Sequence, residues 1–196
     1  MQLRLLAGVL VVALGVHAMV IAWSHPLFSL AGSSVVGLAT LLVAGLSLLV
    51  AGLVYWTRRA HNAVGPLLLA ASGAWFAGEW DNPEMGSSLL FTIGLVLSGA
   101  VPALLAWAIL CFPRGQLDSL LMKWTIAAGL VVSIGILGVG TVLWFDPATT
   151  GCTDCPRNLL LIADWPTFAE SWQRAAVTVM GGWAVAAMLL VGSRLL

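Results

Sequence analysis

The stretch SVVGLATLLVAGLSLLVAGLVYWTRR, Ser34 to Arg59, decides the fold. It carries no charge before Arg58 and closes on the aromatic pair Tyr55-Trp56 followed by Arg58-Arg59. A bilayer core takes about 20 apolar residues per helix. Tyrosine and tryptophan collect at its interfaces, and arginines hold the cytoplasmic end. The segment therefore reads as a transmembrane helix over 34–56 that runs inward. Working outward, five more apolar stretches share its character, at 3–23, 64–80, 89–112, 124–145 and 172–194.

Charge orders these six spans. Arg4, Arg58, Arg59, Arg114, Lys123 and Arg194 fall at one set of ends, with Asp118 the sole acid among them. Glu79, Asp81, Glu84, Asp146, Asp154, Asp164 and Glu170 fall at the other, with Arg157 and Arg174. Basic residues in short loops stay cytoplasmic, so both termini are expected inside and the acidic loops outside. The formal net charge of zero is then two opposed layers. The expected fold class is an all-α integral membrane protein of the plasma membrane. It is a six-helix bundle, one polytopic domain over 1–196, with its long outer loop at 146–171.

Composition agrees with this. Hydrophobic residues make up 61% and charged residues 8% of the 196, against about 25% charged in soluble domains. Six spans leave no room for a soluble catalytic domain. Basic residues are scattered rather than clustered, so nucleic acid is not an expected partner; the lipid bilayer is. Leu3 to Trp23 continues past the h-region of a signal peptide and reads as a retained anchor. Span four carries Gly94, Ser98, Pro102 and Ala106 at four-residue spacing, a small-residue stripe with a proline kink. Span five, with Gly129, Ser133, Gly135, Gly138 and Gly140, reads as a packing helix. Thr167-Phe168-Ala169-Glu170 reads as a capping box ahead of span six. Leu159-Leu160-Leu161-Ile162, with Trp165, Phe168 and Trp172, is expected to lie at the interface. The ten tryptophans are expected chiefly as interfacial anchors.

Few residues carry chemistry. Cys152 and Cys155 form a C-x-x-C pair on the oxidising side, which reads as a small disulfide-closed turn. A redox-sensing pair or half a metal site are the alternatives. No metal site or cofactor is expected, because a second cysteine pair is missing and His17 and His25 are on another span. A quinone-linked thiol oxidoreductase relays electrons between two cysteine pairs, and Cys111 lies on the wrong side for that. An intramembrane serine protease needs G-x-S-G, whereas Val96-Leu97-Ser98-Gly99 has valine first. His17 is the one ionisable group well inside a span, either a neutral hydrogen-bonded imidazole or a proton sensor. Glu79, beside Trp80, is either a solvated helix end, a site for a cationic group, or a partner of Arg157 or Arg174.

Gly151-Cys152-Thr153-Asp154-Cys155-Pro156-Arg157-Asn158-Leu159-Leu160-Leu161 resembles the outer loop in the N-terminal membrane region of actinobacterial two-component sensor histidine kinases. Asn62-Ala63-Val64-Gly65-Pro66-Leu67-Leu68 through Glu79-Trp80-Asp81-Asn82-Pro83 is similar to that family's third span. Phe112-Pro113-Arg114-Gly115-Gln116-Leu117 is similar to its cytoplasmic turn. The resemblance implies a membrane-embedded sensory region that in a longer parent precedes a phosphoacceptor and an ATP-binding domain. It further implies homodimerisation through those domains and a response regulator as partner. The sequence stops at Arg194-Leu195-Leu196 without a cytosolic phosphoacceptor histidine or a glycine-rich ATP lid, so no enzymatic activity is expected of these residues. The expectation is a fragment or a stand-alone homologue. On this reading the outer sensing face comprises Glu79, Trp80, Asp81, Asp154, Arg157 and Asn158. The alternative is a small membrane protein acting as a partner subunit or carrier.

Overall fold

A computed structural model describes residues 2–29, 31–150 and 155–193. Among them every regular element is helical: α1 (Gln2–Ser24), α2 (Val35–Arg58), α3 (Val64–Ala77), α4 (Ser88–Leu97), α5 (Ala100–Cys111), α6 (Leu120–Val142) and α7 (Pro166–Gly192). Four of them, α1, α2, α6 and α7, are long and apolar enough to cross a membrane, and the bent pair α4–α5 makes a fifth if it counts as one span. The segment expected as span three is a 14-residue helix, α3, continued by a tighter 3-10 turn over Gly78–Asp81.

Side chains are distributed in the sense that suits lipid. Helix α1 buries Gly8, Val11, Gly15, Ala18 and Ala22 and turns Leu3, Leu6, Leu10 and Val20 outward. Without a hydrophobic force between helices in a bilayer, small residues at the contact let backbones approach. Helix α3 is the centre of the packing, with nine of its fourteen residues buried, and its most extensive interface is with α2. Phe76 is fully buried there. It seats over Gly45 of α2, where a Cβ would overlap its ring, and over Gly15 of α1, where a Cβ would press on it at 3.0 Å.

The α4–α5 break is the proline effect displaced by one turn. The two helices meet at 51° across Ser98-Gly99. Pro102, four residues on, has no N–H for the Ser98 carbonyl, and its ring crowds that carbonyl. The expected kink in span four is thus real and falls at Ser98.

Helices α6 and α7 are joined by a repeated device. Trp172 donates its indole N–H to the Ile136 carbonyl at 2.9 Å, and Trp183 donates to the Thr125 carbonyl at 2.8 Å. Each acceptor lies four residues before a glycine on which the indole rests. A Cβ at Gly140 would stand 2.6 Å from Trp172 Nε1, and one at Gly129 would overlap Trp183. Both pairs are three turns apart, so one antiparallel register satisfies both. Between them α6 widens into π geometry over Val131–Val139, a rare form in which the helical ladder shifts to i→i+5.

Two expectations need correction. Helix α7 starts at Pro166, with Trp165 at the cap position and no side-chain cap bond, so the Thr167–Glu170 capping box does not form. Proline at the first helical position already has the helical φ and lacks the N–H that would need a cap. The reading of the ten tryptophans as interfacial anchors does not extend to three of them: Trp75 and Trp183 donate to carbonyls of α2 and α6 within the bundle, and Trp80 is buried. An indole on a glycine gains contact area and places its one donor where a helix carbonyl can accept it.

Candidate functional site

Two polar constellations occupy the end of the bundle where the acidic residues gather. The first is built on the loop after α6. Asn158 is buried. Its Nδ2 donates to the Val142 carbonyl at 2.6 Å and the Phe145 carbonyl at 2.8 Å, carbonyls at the frayed end of α6. Its Oδ1 accepts from Leu160 N at 3.0 Å, closing an Asx turn. The same strand of loop is tied to α4: Arg157 N donates to Ser88 Oγ at 2.9 Å and Leu159 N to Thr92 Oγ1 at 3.0 Å. Ile162 N donates to the Leu143 carbonyl at 2.9 Å. From there an aromatic run leads into α7: Trp144 stacks on Trp165 at 5.6 Å, Phe168 meets both edge-on, and Trp172 follows at 6.0 Å. The loop is therefore fastened at one end to α4 and α6 and continues directly as α7.

The second constellation is a cavity of about 790 Å³ between the loop after α1, the first turns of α2, the end of α3, and the start of α5. Glu79 and Asp81 both open on it. Ser29 donates its hydroxyl to Glu79 Oε2 at 2.6 Å. Asp81 is exposed on one side and lines the cavity on the other. Its carboxyl is accordingly pushed up to about 6, first by desolvation and then by the negative charge of Glu79. Asn82 anchors this corner: fully buried, it donates to the His25 carbonyl at 3.3 Å while its Oδ1 accepts from Glu84 N at 2.9 Å.

The expected site residues separate between these two places. Glu79 and Asp81 share the cavity, whereas Arg157 and Asn158 belong to the loop clamp. Trp80 is buried behind the cavity, its Nε1 without a hydrogen-bond partner, and His17 meets its ring edge-on at 5.9 Å. His17 is exposed on the outward face of α1, and the expected hydrogen bond to a neighbouring helix is replaced by that ring contact. Glu79 pairs with neither expected arginine. Arg174 lies 3.8 Å from Glu170 on its own helix, both highly exposed, and Arg157 engages Ser88 through its backbone. Asp154 and Cys152 lie outside the described residues, and with them the expected Cys152–Cys155 pairing. Ser29 and Trp75, which complete the cavity, carry no local sequence signal; only the tertiary packing brings them to Glu79.

The opposite end of the bundle repeats the asparagine device. Asn62 Oδ1 accepts from Val64 N at 2.9 Å, and its Nδ2 donates to the Pro113 carbonyl at 2.9 Å. That carbonyl also accepts from Tyr55 Oη at 3.0 Å and Arg59 Nη1 at 3.2 Å. Gly115, at φ 81°, lies against the Asn62 amide. Among the described residues no group of three or more histidine, cysteine, aspartate or glutamate side chains is arranged to hold a metal.

In comparisons with known proteins, no family model, no curated protein and no solved structure matches the chain.

Proposed function

We propose that this chain is the membrane-embedded input region of a two-component sensor histidine kinase, resident in the plasma membrane with both termini inside. The observation that carries the reading is the clamp of Asn158 on the end of α6, continuous through Trp144, Trp165 and Phe168 with α7. A change at the outer surface that loosens the clamp alters the seating of α7 on α6, and α7 runs the full depth of the bundle. A ligand biases such a pair of states only through different affinities for them. Six spans are part of the proposal. At 1.5 Å per residue for α3 and about 2.0 Å for the 3-10 turn, the segment from Val64 to Trp80 reaches about 27 Å, close to the ~30 Å hydrocarbon core, with Asp81 beyond it. In the proposed parent, dimerisation and the response regulator engage cytoplasmic domains, and a Cys152–Cys155 disulfide holds the outer loop.

The test uses a kinase in which residues 1–196 form the membrane region, reconstituted in proteoliposomes. Replacing Cys152 and Cys155 by serine, or Asn158 by alanine, is expected to shift basal autophosphorylation at least severalfold. Unchanged basal rate and unchanged stimulus response in all these variants would remove the loop from signalling. A second reading, a carrier or partner subunit, is favoured by the broken α4–α5 pair and the cavity beside the break, since carriers place binding sites at interrupted helices. Substrate uptake by vesicles containing this chain alone would support it.

A further inference from the structure

We propose that the outer cavity binds an amphipathic primary amine, its ammonium between Glu79 and Asp81 and its apolar body along Trp75, Leu41, Val101 and Pro102. The proposal names a ligand class for the outer face and stands whether or not the chain signals.

The charge balance of the cavity points this way. Two carboxylates open on it and no lysine or arginine lines it. Glu79 Oε2 is engaged by Ser29; its other oxygen and the Asp81 carboxylate have no protein partner among the described residues. Most donors around the wall are committed elsewhere. Trp75 Nε1 donates to the Leu41 carbonyl at 2.9 Å, Thr40 Oγ1 to Val36 at 2.9 Å and Ser98 Oγ to Leu95 at 3.0 Å, while Ser34 Oγ accepts from Gly37 N. Apart from the neutral Ser34 hydroxyl, what remains is acceptor and negative charge at the mouth and hydrocarbon below it. An ammonium, with three N–H donors and no acceptor, is complementary to that arrangement; an anion is not.

Shape narrows the class. A volume of about 790 Å³ falls within the ~300–1,000 Å³ of small-molecule sites, far more than a bare ion fills. A divalent cation would need further strong oxygen or nitrogen ligands, and among the described residues no third histidine, cysteine, aspartate or glutamate joins these two carboxylates. The carboxylates sit on the turn after α3, while Val101 and Pro102 lie beyond the α4–α5 break, so the polar and apolar ends are separated along the bundle. An aminolipid would bring a phosphate next to its ammonium and so a negative charge toward the two carboxylates. The free amine avoids that repulsion.

The test is equilibrium dialysis of octylamine against the chain in phosphatidylcholine nanodiscs, with empty discs subtracted for partition. Saturable uptake near one per protein is expected for octylamine and none for octanol or octanoate. The double variant Glu79→Gln, Asp81→Asn is expected to weaken binding at least tenfold. Val101→Trp, which fills the apolar end with both carboxylates intact, is expected to abolish it, and unfolding midpoints establish that each variant is folded. Non-saturable octylamine uptake, or uptake unchanged in both variants, overturns the proposal. Loss of octylamine binding in discs containing phosphatidylethanolamine overturns the free amine as occupant in favour of the lipid headgroup. No kinase takes part, so these outcomes are separate from the fate of the sensory reading.

Discussion

Three asparagines do the same work at three corners of the bundle. Asn62, Asn82 and Asn158 are each buried, each accept from the backbone N–H two residues on, and each donate across the structure to a carbonyl. The side chain suits the task because its amide offers an acceptor and two donors in one plane. Half of the device is legible in sequence, since asparagine before a turn or helix start signals an Asx turn. The distant carbonyl is not, because it depends on packing. The resemblance points to Asn158 only as a residue of the outer sensing face, and its role as a clamp follows from its reach to Val142 and Phe145. Replacing Asn158 by alanine leaves those two carbonyls without this partner, at about 1–3 kcal/mol for a buried unsatisfied group. Denaturant unfolding in mixed micelles should show that loss. Replacing the exposed Gln173 of α7 in the same way should show almost none.

Among the elements, α6 and α7 carry the most specific prediction. Gly129→Ala puts a methyl where the Trp183 indole sits, and overpacking of this kind costs about 1–3 kcal/mol. In a Trp183→Ala background the same methyl enters vacated space, so the two costs should not add. An additive double-mutant cycle would mean that the indole does not rest on the glycine. The glycine content of span five was readable as a packing face, and Gly129, Gly138 and Gly140 do meet neighbouring helices. Hydropathy placed the indoles at span ends, however, because it records depth and composition but not helix register. The same limit explains α3: charge and proline mark its end correctly near Glu79, yet nothing in the pattern distinguishes a continuous α-helix from one that tightens into a 3-10 turn. The kink at Pro102 was legible because it follows from a missing N–H, a property of one residue.

For the molecule as a whole, the acidic end of the bundle couples stability to pH. The Asp81 carboxyl moves from an ordinary value of 3.8 to about 6, so between those values the folded chain binds a proton that the unfolded chain has lost. Stability from this group therefore rises as pH falls through about 6 and levels off below 3.8. The groups around it are Glu79 on the same turn and, in the loop before α2, the Ser29 hydroxyl held by Glu79. Asp81→Asn should flatten this part of the pH profile and raise the unfolding midpoint at neutral pH, as read by thermal unfolding between pH 4 and 7.5. A profile unchanged by the substitution would contradict the concave, charged setting described for this carboxylate.

Sensing, ligand entry and pH response all require that the loop after α6 and the cavity open to the exterior. The opposite distribution of basic and acidic residues carries that claim, and labelling of intact cells tests it most directly. In a chain whose three cysteines are replaced by serine, a single cysteine is introduced at exposed Asp164 or at exposed Arg114. A membrane-impermeant maleimide should modify Asp164→Cys and reach Arg114→Cys only after the cells are permeabilised. Labelling of Arg114→Cys in intact cells with Asp164→Cys protected would invert the protein in the membrane and contradict the account.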